Sequence, residues 1–394
     1  MTDLQTLRAQ FQAIDQLLYQ YRSDWQLRPF EQQAIPWPAL AGPLWALDDE
    51  QLAVLEQDNQ ALFDYLAPWR PAVVAAQPAW PELARAEITA PSRLASGIPG
   101  RKWAQISDFI GAAAIARPVL EWCAGKGHLG RLAALSQGQP VLSLELQQGL
   151  CEQGERLAGQ WRLEHRFVCA DALAPAARDH FQANQHGLAL HACGELHQRF
   201  LAHGIAAGTQ ALTLSPCCYH LIDQEHYRPL SATARASRLV LDRFDLRLPL
   251  QEQVTGGARQ ARLRHTEVHW RLAFDSLQRQ LRERDEYLPL PTLPKQLLTG
   301  DFADFLAWAC DRKGLACPAG LDQAHWLREG RRRQGLVRRI ELVRHLYRAP
   351  LEAWLLLDRA LLLAENGYQV RLGTFTDRHN TPRNLMIHAE RGAH

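Results

Sequence analysis

Apolar residues recur at helical spacing from the start of the chain, where Leu4, Leu7, Phe11, Ile14, Leu17 and Leu18 predict an amphipathic helix. A second helix is predicted after Asp48-Asp49-Glu50, whose acids suit a first turn, with Leu52, Leu55, Leu62 and Phe63 on its apolar side. Pro36-Trp37-Pro38 and Gly42-Pro43 mark loops between them. Residues 1–95 therefore predict an N-terminal helical domain.

From about residue 100 the rhythm changes. Short β-rich runs at Pro118–Cys123, Pro140–Leu146, Arg166–Asp171, Gly187–Cys193 and Gln210–Ser215 alternate with helical runs. Five strands separated by helices predict a parallel, doubly wound sheet. Residues 228–348 break the alternation with several helical runs, Gly256-Gly257 and the Pro289–Pro294 hinge, and are expected to form a mostly helical insertion. Leu351–Ala364 is a strongly apolar helix ended by Asn366-Gly367. Tyr368–Phe375 and Asn384–Ala389 then predict a terminal hairpin, the antiparallel edge such sheets commonly carry. The expected α/β domain, a Rossmann-like sheet, thus combines residues 96–227 and 349–394.

Composition narrows the classes. The 394 residues are 47% hydrophobic and 22% charged, which excludes a disordered chain. No run of about 18 apolar residues predicts a membrane span, and the N-terminus lacks a leader pattern. The eight cysteines include no CxxC pair, so free thiols, a cytoplasmic location and no bound metal are expected.

Candidate chemistry begins at Glu121-Trp-Cys-Ala-Gly125-Lys126-Gly127, between a strand and a helix. Glycines there let a ligand approach the backbone, and the helix start favours an anion. Gly125, Gly127 and Gly130 match a dinucleotide pattern, with Glu145 placed 20 residues on as a ribose-binding acid. Glu121, four residues before the first glycine, suits an ammonium rather than a pyrophosphate. Asp171, after the third strand, could accept from an adenine amino group. This set favours S-adenosylmethionine over a nicotinamide cofactor and points to a class I methyltransferase.

Four blocks carry a family resemblance: Gly100-Arg-Lys102-Trp-Ala-Gln105-Ile106, Ala124–Leu129, His191-Ala-Cys-Gly-Glu-Leu196 and Ser215-Pro-Cys-Cys-Tyr-His220. With the Thr381–Asn384 turn, they resemble the S-adenosylmethionine-dependent methyltransferases that include the glutathione S-transferase C-terminal-domain-containing protein and its bacterial relatives. The Gly-Lys-Gly and Cys-Cys-x-His blocks are similar, more remotely, to tRNA ribose 2′-O-methyltransferases. The resemblance covers about residues 98–222 and 350–390. It implies that Lys102 and Gln105 help hold the methionine end and that Lys126 neutralises the cofactor carboxylate. The N-terminal segment is too short for a glutathione-transferase fold, and no CxxC-type zinc module is present.

In such a fold ligands bind beyond the carboxyl ends of the strands, so the His191 and His220 blocks should face the methyl group. His191 and His220 are candidate bases, with Glu195 and Tyr219 as orienting groups. Cys217, after Pro216, is the candidate thiolate of a covalent route that would also need Cys193. Zinc on Cys193, Cys217, Cys218 and His220 lacks the usual ligand pairs in its spacing.

Charge then changes the picture of partners. The total of +2 hides 23 basic against 14 acidic residues in 228–348, while residues 1–95 carry 6 basic and 12 acidic. Arg259, Arg262 and Arg264 form one cluster and Arg331, Arg332, Arg333, Arg338 and Arg339 another. Guanidinium groups suit phosphates and bases, so an RNA substrate, tRNA or rRNA, is expected; a protein methyltransferase acting on a ribosomal or acidic partner, or a non-catalytic cofactor-binding module, is the alternative. The plain competing reading is a helix face paired with the acidic N-terminal segment.

Overall fold

The computed structural model describes residues 2–251, 258–294, 296–318 and 320–392; Gly256-Gly257 lies outside them. Seven strands form one sheet: β1 (Val119–Trp122), β2 (Val141–Glu145), β3 (His165–Cys169), β4 (His186–Cys193), β5 (Ala211–Cys217), β6 (Tyr368–Thr374) and β7 (Leu385–Arg391). Their order is β3-β2-β1-β4-β5-β7-β6. β1 to β5 are parallel, and β7 runs antiparallel to both its neighbours. This is the Rossmann-like α/β arrangement with a terminal antiparallel hairpin. The order reverses between β1 and β4, which places a crevice at their carboxyl ends.

Burial explains the strand runs. All seven residues of β5 are buried, as a central strand covered on both faces requires. Helices His128–Gln137, Gln148–Gly159 and Glu195–Ala206 supply the crossovers. Small residues set their approach: a Cβ on Gly204 would meet the Leu212 side chain at 2.7 Å.

The described chain packs as two compact units. One comprises residues 1–20, 77–254 and 348–394, the other 21–76 and 255–347. The helix Leu4–Gln20 therefore joins the sheet unit instead of an N-terminal domain of 1–95. Its apolar stripe is covered by the helix Arg348–Glu365, with Phe11 and Trp354 rings 5.1 Å apart and the Trp354 indole donating to Asp15 at 2.8 Å. In the second unit, helices Ala258–Arg282 and Gln323–His345 pack along each other, and Gly330 admits the His269 backbone at their contact. Asp48 caps the helix Asp49–Gln57 through the Gln51 amide, with the Gln51 side chain returning to the Asp48 amide. Among the described residues no helix is long and apolar enough to cross a membrane.

Candidate functional site

At the carboxyl end of β1 the chain must turn sharply into a helix. Cys123, Gly125 and Gly127 take φ of 57°, 60° and 62°, the left-handed region. The two glycines serve different ends. A Cβ at Gly127 would run into Phe167 and, at 2.8 Å, into His165, so this glycine is demanded by packing. A Cβ at Gly125 would meet nothing within 4 Å, so this glycine borders open space. The Gly125 amide donates to Glu145 Oε2 at 2.8 Å, and the Gln147 amide donates to Oε1 at 3.0 Å. Glu145 thus stands at the end of β2 with both oxygens oriented by backbone and lone pairs left to accept from hydroxyl groups. Asp171 is exposed beyond β3, with Oδ1 accepting from the Leu173 amide at 2.9 Å. Lys102 and Lys126 are exposed.

Glu121 is placed differently from the expectation. It is only 3% exposed, beneath the loop, and accepts from Ser143 Oγ at 2.5 Å. Ser143 in turn accepts from His165 Nε2 at 2.7 Å. Burial pushes the Glu121 carboxyl up to about 7, against the lowering effect of the Ser143 and Gly130 hydrogen bonds. The carboxyl group is enclosed by sheet and helix, so the idea that it faces a ligand ammonium is corrected: it braces the loop from below.

At the carboxyl end of β4 a bulge falls between Leu190 and Cys193, and His191 takes φ 61°. His191 Nε2 lies 2.9 Å from Gln105 Oε1, while Gln105 Nε2 donates to the Asn380 carbonyl at 2.8 Å. Since the Gln105 amide points its N–H at Asn380, its oxygen accepts from His191 Nε2–H, which leaves Nδ1 as the acceptor. The residue is solvent-accessible, yet desolvation of its ring lowers its pKa; Cys218 opposes this, and Lys102 and Arg383 add to it. Gln105, expected at the cofactor, thus positions the histidine. Asn380, in the turn before β7, was not singled out by sequence because a backbone carbonyl leaves no signature.

The end of β5 brings Cys217 and Cys218 beside Cys193. Cys193 and Cys217 Sγ are 3.5 Å apart, and the three sulfurs lie within 4.8 Å of one another. His220 is half-buried, its Nδ1 has no hydrogen-bond partner, and desolvation and then Arg247 lower its pKa. Cys217 is 4% exposed, poorly placed to attack an incoming base. Tyr219 is fully buried, its ring against His197 and under the Arg359 guanidinium at 4.8 Å, so it belongs to the core and not to an orienting role. Glu195 accepts from Arg199 on its own helix at 2.9 Å.

The arginine clusters divide by packing within the helical unit. Arg333 is 1% exposed, donates to the Phe30 carbonyl at 2.7 Å and pairs with Asp275 at 3.1 Å. Arg338 pairs with Glu56 at 2.7 Å and with Asp49 at 2.7 Å. Arg339 is buried and caps the Leu44 carbonyl at 2.7 Å as well as that of Leu47. These three are committed internally, so they are withdrawn from the proposed RNA face. Arg259, Arg262, Arg264, Arg331 and Arg332 are exposed, as is Arg328; among the described residues only Arg332 of these six is ion-paired, to Glu329.

No curated protein matches the sequence. Similar solved structures include the bifunctional kinase-methyltransferase WbdD, at 18% identity over 36% of this chain and 34% of that chain, with a TM-score of 0.22. A 2.2 Å crystal structure of WbdD aligns at 17% identity over 36% of this chain and 35% of that chain, with a TM-score of 0.23. The chain thus spans about a third of the length of these proteins. Residues 103–225, which carry β1 to β5 and the loops just described, match the family described as a methyltransferase domain, so the chain carries a methyl-transfer domain.

Proposed function

We propose that the protein is a cytoplasmic, S-adenosylmethionine-dependent methyltransferase acting on structured RNA such as tRNA, at a ribose hydroxyl or base nitrogen. The observation that carries the cofactor is the pairing of Glu145 with the Gly125 amide beside open space. Glu145 would accept from the ribose hydroxyls, Asp171 from the adenine amine, and Lys102 and Lys126 would meet the carboxylate. Bound there, the cofactor supplies a methyl group on a sulfonium carbon. The protein needs to hold a nucleophile about 3–3.5 Å away and in line. His191 Nδ1, oriented by Gln105, accepts the proton the acceptor must lose. S-adenosylhomocysteine should raise the melting temperature of the wild type and not that of Glu145→Ala. His191→Ala should keep that shift while losing about 10²–10⁴-fold in kcat.

The six exposed arginines support RNA. Five phosphate contacts give a log–log salt slope of about −3.5 on single strands, and Arg262→Gln should reduce it by about 0.7. Nucleoside mass spectrometry of tRNA and rRNA from a deletion strain tests the substrate: a missing methylated nucleoside supports RNA, and an unchanged set transfers the proposal to a protein acceptor. That second reading draws on the internal commitment of Arg333, Arg338 and Arg339, which leaves a smaller cationic surface than the composition promises.

A further inference from the structure

We infer that Cys193, Cys217 and Cys218 form a soft-metal site that binds one zinc ion through three thiolates, with its fourth position open. In an extended strand, consecutive side chains point to opposite faces, so Cys217 and Cys218 would ordinarily diverge. Here Cys218 takes φ 48°, and the alternation is broken just where β5 ends. The β4 bulge between Leu190 and Cys193 re-aims the facing strand, so that Cys193 comes into register with Cys217. Backbone bonds lock the two ends together: the Gly194 amide donates to the Cys217 carbonyl at 3.1 Å, the Glu195 amide to Leu221 at 2.9 Å, and the Leu221 amide to Cys218 at 2.9 Å. Two non-glycine residues held at positive φ, His191 and Cys218, are a local cost that the convergence of sulfurs would explain.

The dimensions suit the ion. Zinc–sulfur bonds of about 2.3 Å in a tetrahedron separate the sulfurs by about 3.8 Å. The observed Cys193–Cys217 separation is 3.5 Å, and all three sulfurs lie within 4.8 Å, so small side-chain adjustments suffice. His220 is outside this group. Zinc binding would release up to three thiol protons to solvent and leave a complex of net charge −1. Three protein ligands and one open position are the arrangement of zinc sites that take a solvent or substrate ligand. The site is independent of the identity of the methyl acceptor.

The test uses the full chain, purified anaerobically without chelator, then reduced and titrated with zinc ion alone. Metal analysis should give one zinc per chain, with three thiols protected from an alkylating reagent. Cobalt ion in its place should give the intense sulfur-to-cobalt charge-transfer absorption of a three-thiolate site. Cys193→Ser and Cys218→Ser, both at partly exposed positions, should each weaken zinc by more than about tenfold and lose the charge-transfer band, while Cys317→Ser on the exposed surface should change neither. Wild-type protein that protects no thiols and gives no cobalt–thiolate absorption overturns the proposal. So does zinc that survives Cys193→Ser and Cys218→Ser unchanged, or a Cys193–Cys217 disulfide whose reduction yields no zinc uptake.

Discussion

The loop after β1 and the loops after β4 and β5 meet the same crevice but are built in opposite ways. At β1 and β2 the polar groups are matched to one another: the Gly125 and Gln147 amides to Glu145, and Ser143 to Glu121. Two of the three left-handed positions there are glycines, which tolerate the conformation. At β4 and β5 the left-handed positions are His191 and Cys218, residues that adopt it at a cost, and the His220 Nδ1 and Tyr219 hydroxyl are buried without partners. In the first region the carboxylates of Glu121 and Glu145 are occupied by donors of the chain itself. In the second, polar atoms of His220 and Tyr219 stay unpartnered at the end of β5. The largest expected effect separates packing from binding inside the first region. Gly127→Val places a branched side chain at positive φ against Phe167 and His165, and should destabilise by about 4 kcal/mol or more in denaturant unfolding.

Glu121→Gln probes the same region with an effect of opposite sign. The folded pKa of Glu121, about 7, lies above its ordinary 4.5. Its contribution to stability is fully present below pH 4.5 and is lost as pH rises through about 7, because the fold resists the charged form. Glutamine keeps an acceptor oxygen for Ser143 without ionising. The variant should therefore match the wild type near pH 4 and exceed it by up to about 3 kcal/mol at pH 8. A stability difference that does not grow between these pH values would show that Glu121 is held charged and is stabilised by something other than the hydrogen bonds described. Gly125→Ala should be milder for the fold, about 1–2 kcal/mol for the left-handed backbone alone, yet should abolish the thermal shift with S-adenosylhomocysteine. Retained binding would mean that the open space at Gly125 is not where the ligand approaches.

The two regions also differ in how far sequence reveals them. The alternation of β-rich and helical runs was enough to place all seven strands, since burial on both faces writes itself into continuous apolar runs such as β5. The glycine loop was legible because backbone conformation restricts residue type, and Glu145 because it lies a fixed 20 residues beyond that loop. The three thiols could be named together from sequence but their convergence could not be read there, because strand alternation assigns Cys217 and Cys218 to opposite faces and only a positive φ at Cys218 reunites them. Nor were the internal arginines legible: helix Gln323–His345 carries guanidinium groups on every side, and those of Arg333, Arg339 and Arg344 are buried because they cap the carbonyls of Phe30, Leu44 and Trp25. A charged residue can be internal when its apolar stem packs and its donors find acceptors, and charge patterning alone does not register that.

Tyr219→Phe carries the smallest expected effect and cuts most directly at the comparison. Its hydroxyl is buried without a partner, a condition that costs free energy in the folded state, while its ring is held by His197 and the Arg359 guanidinium. Phenylalanine keeps the ring and removes the unsatisfied group, so stability should be unchanged or rise by about 1 kcal/mol, with kcat for methyl transfer unaltered. A drop in kcat of tenfold or more, with S-adenosylhomocysteine binding and stability preserved, would instead return Tyr219 to the reacting end of β5. The hydroxyl would then be unspent for the same reason as His220 Nδ1, awaiting a group that only the reacting complex supplies. The contrast between the loop after β1 and the end of β5 would be deeper than the packing of Tyr219 suggests.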